Sequence, residues 1–206
     1  NSDTEVIVHA YEAYEDFASR LSGQFAFAIY DSNKKKLLLA RDKLGIKPLY
    51  YSLIDGKLLF ASEIKAILKY NGLKRELNYD ALSDYLTFRY IPGKSTLIKN
   101  IYKLPPSSML TYSDGSISIK KYHEFKLNIE NKSESYFIDK IRNTLESSIK
   151  SQMVADVPIG VYLSGGIDSS TNVAIMSKFV NEPLKTFSIG FELYNQDVSS
   201  YFNETE

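Results

Sequence analysis

One segment constrains the fold of this chain more than any other: residues 157–170 read VPIGVYLSGGIDSS. An apolar run ends at Gly165 and Gly166, and polar residues typical of a helix start follow directly. Continuous apolar strands are typical of parallel sheets that are covered on both faces by helices. In such sheets ligands bind where a strand ends and the chain enters a helix, so the segment predicts a binding loop.

The loop has the chemistry of an anion site. Glycine has no side chain, so Gly165 and Gly166 can take unusual backbone angles and let a ligand approach closely. The amides of the first helical turn then point at the ligand, aided by the positive end of the helix dipole. The hydroxyls of Ser164, Ser169 and Ser170 would add further donors. The segment therefore predicts a phosphate site that carries no positive side chain.

Asp168 separates this loop from two common phosphate loops. A Walker A loop needs a lysine followed by Ser or Thr, and a dinucleotide fingerprint needs a third glycine where Ser169 stands. A carboxylate repels phosphate unless a divalent cation lies between them, so Asp168 indicates Mg²⁺. The residues alone leave a second interpretation open, in which Asp168 and Ser169 only cap a helix after a tight turn.

Charge and cysteine content exclude several classes of function. Lys plus Arg equals 25 and Asp plus Glu equals 25, so there is no basic surface for nucleic acid or an anionic membrane. The absence of cysteine excludes disulfides, thiolate metal sites and thiol nucleophiles from these 206 residues. Apolar runs fall far short of the roughly 18 residues that span a bilayer. We expect a soluble cytoplasmic protein without a nucleic-acid or membrane partner.

The periodicity changes near residue 130. Upstream, helical spacing gives way to short strands with Asp-Gly turns, which imply an antiparallel sheet, and downstream the order is helix, strand, helix, strand, as in a doubly wound parallel sheet. We predict one domain at 1–122, a linker at 123–133 and a second domain at 134–206. In the first domain the predicted elements are a helix at 4–20 with a Ser2 and Glu5 capping box, hairpins at 24–42 and 48–62, helices at about 63–69 and 79–88, a loop at 89–106 and a hairpin at 108–122. Asn78 is the predicted N-cap of the helix at 79–88. In the second domain they are helices at about 134–153 and 169–181, and strands at 159–164 and 185–191.

Both halves resemble one known family. LSGGIDSS is similar to the pyrophosphate loop of N-type ATP pyrophosphatases. Upstream, the segments SDTEV, LSGQFAFAIYD, LLLARDKLGIKPLYY, LLFASEIKAIL and LTFRYIPG resemble the glutaminase half of glutamine-hydrolysing asparagine synthetases. The resemblance implies an α+β then α/β chain: the C-terminal part of an N-terminal-nucleophile glutaminase domain with antiparallel sheets, followed by the start of a doubly wound ATP-pyrophosphatase domain.

The resemblance also implies an activity. Family members adenylate the side chain of aspartate with ATP and Mg²⁺, and ammonia from glutamine then displaces AMP to give asparagine. Their substrates are aspartate, glutamine and ATP, and the full-length protein can be a homo-oligomer. Relatives that use a different acceptor, such as β-lactam synthetases, keep the same loop and stay an alternative, as does a truncated product that only binds nucleotide.

Residue roles follow from the same resemblance. Asp3 corresponds to the aspartate that binds the α-amino group of glutamine, although it also suits a helix N-cap. Arg41, Asp42, Gly45 and Pro48 lie in a signature that we interpret as mainly structural. The implied ATP-binding residues are Tyr162, Ser164, Gly165, Gly166, Asp168, Ser169 and Ile189, with Asp168 also directed toward the metal; strand core is the alternative role for Tyr162 and Ile189.

The chain departs from the family at the glutaminase nucleophile. The family uses an N-terminal cysteine, whereas this sequence starts at Asn1 and has no cysteine. We therefore assign no catalytic residue, and we expect an internal fragment that is inactive by itself. Ser107 stands where the family usually has glycine, and there we expect only a local change of turn.

Overall fold

The computed structural model describes residues 2–190 and divides the chain into two compact units between Leu127 and Asn128. This division falls inside the polar stretch at 123–133, and the domain limits given above stay a prediction. Within residues 2–190, no helix is long and apolar enough to cross a membrane.

The first unit contains two antiparallel sheets and their covering helices. One sheet has the strand order β1-β2-β6-β7 and the other has the order β4-β3-β5. The strands are β1 (Ala26–Asp31), β2 (Lys36–Arg41), β3 (Tyr50–Ile54), β4 (Lys57–Ala61), β5 (Tyr102–Lys103), β6 (Ser108–Ser113) and β7 (Ser116–Lys121), and the helices are α1 (Asp3–Ala13), α2 (Phe17–Arg20), α3 (Ile64–Ile67) and α4 (Tyr79–Phe88).

The three predicted hairpins are present, but the expectation of one sheet for the first two was wrong. β2 pairs with β6, whereas β3 pairs with β4 and with β5. The strand β5 lies inside the stretch that we expected to be loop, because backbone pairing with Tyr51 and Tyr50 extends it there. The predicted N-cap of α4 is confirmed, since the Asn78 side chain accepts from the amide of Ala81.

Two turn tips join the sheets. Asp55 and Gly56 have φ of 49° and 72°, and Asp114 and Gly115 have φ of 50° and 76°, which is the geometry that favours Asp-Gly in two-residue hairpins. The Tyr112 hydroxyl donates to the Gly56 carbonyl at 2.6 Å. The glycines face each other closely, since a Cβ added at Gly56 would lie 3.8 Å from the Cα of Gly115.

The predicted helix at 4–20 is two helices. Ser2 caps α1 as predicted, with its hydroxyl accepting from the Glu5 amide at 3.2 Å. Tyr14 is extended (φ −138°, ψ 133°) and ends α1. The break lets α2 turn and bury Phe17, whose ring meets that of Tyr11 edge-on at 5.4 Å. The helical spacing of apolar residues runs across the break, which is why the sequence predicts one helix. The chain breaks because this allows the aromatic side chain of Phe17 to be buried.

The central strands of the four-stranded sheet, β2 and β6, contribute buried side chains. Successive strand residues point to opposite sides, so Leu38 packs with Phe17 under the helices while Leu39 faces the other sheet. Between the two sheets the core contains Leu39, Leu49, Tyr51, Leu104 and Leu110. On the outer face of the second sheet, Ile67 of α3 belongs to a further core cluster with Leu59 of β4. The first unit is therefore two layers of strands between two layers of helices.

The second unit confirms the predicted order of helix, strand, helix, strand. Its elements are α5 (Glu134–Gln152), β8 (Gly160–Tyr162), α6 (Ile167–Met176) and β9 (Lys185–Phe187). β8 and β9 pair in parallel.

The expectation of a fully buried strand at 159–164 was wrong for the described residues. The Tyr162 side chain is 72% exposed, because β9 is the one strand paired with β8 in residues 2–190. The helix begins at Ile167, two residues before the predicted start, because Gly166 already takes the extended N-cap conformation. Residue 191, the predicted end of the last strand, lies outside the described residues.

We predict that Leu39→Ala destabilises the first unit by about 2–5 kcal/mol, because a fully buried leucine loses both its burial and its packing partners. Urea unfolding followed by circular dichroism measures the effect. The matched control is Leu127→Ala, whose side chain is fully exposed and should unfold at the wild-type midpoint. Equal midpoints for the two variants would contradict this core assignment.

Candidate functional site

The SGGIDSS loop lies at the carboxyl end of β8 and leads directly into α6. The Leu163 amide donates to the Phe187 carbonyl at 2.9 Å, so pairing with β9 continues to the edge of the loop. Gly165 has φ of 87°, a left-handed angle that favours glycine. Gly166 has an ordinary φ of −68°, so the expectation of an unusual angle holds for Gly165 alone.

Gly166 is the N-cap residue of α6. A Cβ added there would lie 3.7 Å from the Ser164 hydroxyl, which is an ordinary contact. Helix α6 has no side-chain cap at this residue, so the amides of its first turn have no partner within the helix. Unpaired amides at a helix start suit an anion.

Two serines brace the loop. The Ser164 amide donates to the Ser169 hydroxyl at 3.3 Å, and the two hydroxyl oxygens are also 3.3 Å apart. The Ser169 hydroxyl in turn donates to the Gly166 carbonyl at 3.0 Å. A serine hydroxyl has one proton, and that of Ser169 is used in the bond to the Gly166 carbonyl. Of the two hydroxyls, that of Ser164 is therefore the better placed donor to a ligand.

Asp168 is exposed in the first turn of α6. No group of three or more His, Cys, Asp or Glu side chains able to hold a metal occurs among the described residues. Magnesium in nucleotide sites commonly uses one or two carboxylates and completes its shell with phosphates and water. A single exposed carboxylate beside a phosphate loop fits that requirement.

Tyr162 and Ile189 lie at the same edge of the sheet as the loop. Tyr162 is paired with Phe187, and Ile189 follows two residues later, so the carboxyl ends of both parallel strands meet here. Both side chains are mostly exposed, at 72% and 68%. Neither is strand core in the described residues, which leaves them free for contact with a ligand.

A second candidate site lies in the first unit. A cavity of about 390 Å³, which we call the Asp3 cavity, opens beside the start of α1. Its volume falls in the range of small-molecule pockets, roughly 300–1,000 Å³. The residues that line it are Asp3, Thr4, Ile7, Gln24, Phe25, Ala26, Phe27, Lys47, Pro48 and Ser62.

Asp3 occupies the first turn of α1 and also lines the cavity. Its carboxylate accepts from the Thr4 amide at 2.7 Å and is exposed. The helix is tied to the sheet by the Tyr11 hydroxyl, which donates to the Asp31 carboxylate. This hydrogen bond raises the pKa of Tyr11 and lowers the pKa of Asp31. The contact fixes α1, and with it the position of Asp3 at the cavity wall.

The loop that brings Lys47 and Pro48 to the cavity is built on a buried carboxylate. Asp42 is 1% exposed, and its oxygens accept from the amides of Leu44, Ile46 and Lys47 at 3.1, 3.0 and 2.9 Å. Burial raises the pKa of Asp42, but the backbone donors outweigh burial and hold the pKa below its ordinary value. The ionised carboxylate therefore orders the loop from Leu44 to Lys47.

Arg41 completes the same network. Its guanidinium donates to the carbonyls of Lys47, Leu104 and Gly45 at 2.8, 2.7 and 2.6 Å. Gly45 has φ of 69°, and a Cβ there would lie 2.8 Å from the ring of Pro106, so both angle and space require glycine. The geometry supports a structural role for this part of the signature.

Ser107, which stands where the family usually has glycine, lies in a tight turn. It has φ of 57°, a left-handed angle that glycine adopts more readily. Its hydroxyl donates to the Lys43 carbonyl at 2.9 Å, and its amide donates to the Asp42 carbonyl at 3.0 Å. These bonds hold the serine in the turn.

The sequence reasoning missed Lys47 and Ser62 as cavity residues. Neither has a periodic pattern that would reveal it. The sequence offers one indication for Lys47, which is its position between Gly45 and Pro48. Glycine permits a tight turn and proline fixes its own φ, so the backbone at Lys47 is restricted on both sides.

Comparisons with known proteins agree with the two units. Residues 1–123 match the family model described as glutamine amidotransferase domain, and residues 140–205 match the model described as asparagine synthase. The chain is 40% identical to asparagine synthetase [glutamine-hydrolyzing] 1 of Bacillus subtilis (strain 168), covering 93% of this chain and 30% of that protein.

Two further relatives are named as an asparagine synthetase and as an amidase. A putative asparagine synthetase [glutamine-hydrolyzing] 2 of Methanocaldococcus jannaschii is 36% identical, covering 93% of this chain and 38% of that protein. The amidase chyE of Penicillium rubens is 35% identical, covering 89% of this chain and 28% of that protein. The chain thus spans about a third of the length of the curated relatives it matches.

We predict that Asp42→Asn lowers the free energy of unfolding at pH 7 by about 1–3 kcal/mol, because an amide replaces a charged acceptor of several backbone donors. The lowered pKa means that the carboxylate stabilises the fold above its ordinary pKa, and that this contribution is lost as the pH falls through the folded-state value. Urea unfolding should therefore show the two proteins converging below about pH 4.

The matched control is Asp55→Asn, an exposed turn position with φ of 49° that asparagine tolerates. This variant should follow wild type at every pH. A difference between wild type and Asp42→Asn that stays constant from pH 7 to pH 2.5 would contradict the role of the ionised carboxylate.

Proposed function

Because the chain belongs to the glutamine amidotransferase family over residues 1–123, and its residues 140–205 match the asparagine synthase model, we propose that the protein containing it makes asparagine. Its substrates would be aspartate, ATP and glutamine. The observation that carries the proposal is the SGGIDSS loop, placed between a parallel strand and a helix in the same chain as an amidotransferase unit. An ATP-consuming ligase needs a compartment that contains ATP, so the proposal includes a cytoplasmic location, and it extends to a homo-oligomeric full-length protein.

The proposed reaction has two steps at the aspartate side chain. A carboxylate oxygen attacks the α-phosphorus of ATP, the bond to the bridging oxygen breaks, and pyrophosphate leaves. Ammonia then attacks the activated carbonyl carbon, a carbon–nitrogen bond forms, and AMP leaves. The activation is needed because a free carboxylate has no good leaving group.

The loop residues would act on the departing pyrophosphate. The first-turn amides of α6 and the Ser164 hydroxyl would donate to its oxygens, which gain negative charge as the bond breaks. Ser169 would keep the loop in shape through its bond to the Gly166 carbonyl. Asp168 would hold a bound Mg²⁺, which supplies charge neutralisation for the phosphates. Tyr162 and Ile189 would contact the nucleotide at the same sheet edge.

The Asp3 cavity would take glutamine, with the Asp3 carboxylate bound to the α-amino group. Hydrolysis of the side-chain amide yields glutamate and ammonia. The sequence has no cysteine, so we assign no nucleophile for this step among the 206 residues. By themselves these residues would bind substrates without turnover.

A second candidate function keeps the ATP site and changes the acceptor. The 35% identity to a relative named amidase favours weighing it. A screen of carboxylic acids with Mg-ATP and ammonia separates the two. Asparagine formation from aspartate supports the first function, whereas pyrophosphate release with another acid and none with aspartate supports the second.

We predict that Asp168→Asn, made in the protein that contains this chain, lowers aspartate-dependent pyrophosphate release by about 100-fold, because charge on the leaving group loses its metal partner. A coupled pyrophosphate assay with aspartate, ammonia and Mg-ATP measures it. The control is Asp139→Asn, an equally exposed carboxylate on α5 whose contact is a surface pair with Arg142. Equal rates for both variants would contradict the assignment of Asp168.

We predict that Asp3→Asn raises the KM for glutamine about 10-fold and leaves ammonia-dependent synthesis unchanged, because only glutamine presents an α-ammonium to this carboxylate. Initial rates with the two nitrogen sources measure it. Asp80→Asn is the matched control, since Asp80 occupies the first turn of α4 and has the same relation to a helix dipole. Loss of both activities in Asp3→Asn would point to a folding defect and would contradict the role in glutamine binding.

A further inference from the structure

Ser188 directly follows β9 and contacts the residue that precedes the SGGIDSS loop. Its hydroxyl donates to the Leu163 carbonyl. The Leu163 amide donates in turn to the Phe187 carbonyl at 2.9 Å, so two successive residues at the carboxyl end of β9 hold both backbone polar groups of Leu163. The last residue before the loop is therefore fixed against the neighbouring strand.

The Ser188 hydroxyl takes the place of a backbone donor. In a parallel pair, a residue whose amide bonds to one carbonyl of the partner strand bonds through its own carbonyl to the amide two residues further along that strand. For Leu163 that donor would be the amide of Ile189. Throughout residues 2–190, no backbone hydrogen bond joins the Ile189 amide to this carbonyl. A side chain thus makes the last contact between the strands before the loop begins.

The peptide group between Leu163 and Ser164 is held at both ends by serine hydroxyls. Its carbonyl accepts from Ser188, and its N–H donates to the Ser169 hydroxyl at 3.3 Å. A peptide group is planar, so contacts at its two opposite ends fix the rotation of the whole plane. This rotation sets the backbone angle φ of Ser164, and with it the direction in which the Ser164 side chain leaves the chain.

We propose that Ser188 is a positioning residue, which orients the Ser164 hydroxyl toward the pyrophosphate of ATP by holding the peptide group between Leu163 and Ser164. The inference rests on the proposed function and adds a residue outside the SGGIDSS segment that acts through the backbone of the loop. A donor to developing charge is effective only when its geometry is set in advance. Loss of the Ser188 hydroxyl should therefore slow pyrophosphate release more than it weakens ATP binding.

The test is a double-mutant cycle in the protein that contains this chain, with aspartate-dependent pyrophosphate release as the measurement. Ser188→Ala should lower kcat about 10-fold and leave the KM for Mg-ATP within about 3-fold, because the loop loses one hydrogen bond. In a Ser164→Ala background the same substitution should change kcat by less than about 2-fold, since the hydroxyl that Ser188 positions is already absent. Ser188→Thr keeps a hydroxyl and should restore kcat to within about 3-fold of wild type.

The matched control is Ser177→Ala. The Ser177 hydroxyl also donates to a backbone carbonyl, that of Ala174 at 3.0 Å, but it lies at the opposite end of α6 from the loop. This variant should keep the wild-type kcat. Urea unfolding should give similar midpoints for Ser177→Ala and Ser188→Ala, since each loses one exposed hydroxyl contact.

Each outcome decides the inference. A loss of kcat that requires Ser164 and is rescued by threonine supports it. Losses of equal size with and without the Ser164 hydroxyl, no loss in either background, or a loss that threonine fails to rescue overturn it, while pyrophosphate release by the wild type keeps the proposed function standing. A wild-type protein that releases no pyrophosphate with aspartate overturns the proposed function and this inference with it.

Discussion

The buried carboxylate of Asp42 is the contact on which the candidate site of the first unit depends. It accepts from three amides of one loop, and the neighbouring Arg41 donates to carbonyls of the same loop and of Leu104. Arg41 ends β2 in one sheet, whereas Leu104 directly follows β5 in the other. One pair of charged residues therefore shapes a loop and joins two sheets. A buried carboxylate without hydrogen-bond donors would strongly destabilise the fold. The fold of the first unit therefore requires the donors to Asp42.

The loop of the second unit is held by weaker means. Its shape comes from the left-handed Gly165 and from neutral hydroxyl contacts between Ser164 and Ser169. No buried charge supports it in the described residues. The start of α6 has no side-chain cap and Asp168 is exposed. Under the proposed function, a phosphate group would bind the free amides and its cation would bind Asp168.

Local signals in the sequence predicted local structure well. The two Asp-Gly turns predicted the hairpins at 48–62 and 108–122, because left-handed angles at both positions favour such a turn. Asn78 marked the start of α4 because its side chain accepts from a backbone amide that has no acceptor within the helix. The parallel order of β8 and β9 followed from the alternation of helices and strands. The SGGIDSS loop was predictable for the same reason, since its chemistry and its flanking elements are contiguous in the chain.

Features set by distant contacts were not predictable. Tyr14 ends a helix whose apolar spacing continues, because burial of Phe17 outweighs helix propensity. β2 and β3 belong to different sheets because Arg41 and Asp42 turn the chain between them. The spacing of apolar residues in the sequence does not indicate this turn. Lys47 belongs to the Asp3 cavity only through the folded loop.

Under the proposed function, the SGGIDSS loop stabilises a pyrophosphate leaving group. The nucleotide product identifies the bond that is cut, and ³¹P NMR detects it when the protein that contains this chain consumes ATP with aspartate and ammonia. AMP and pyrophosphate are expected in amounts equal to that of asparagine. Formation of ADP and inorganic phosphate would contradict this function, because the bond cut would then lie between the β- and γ-phosphates.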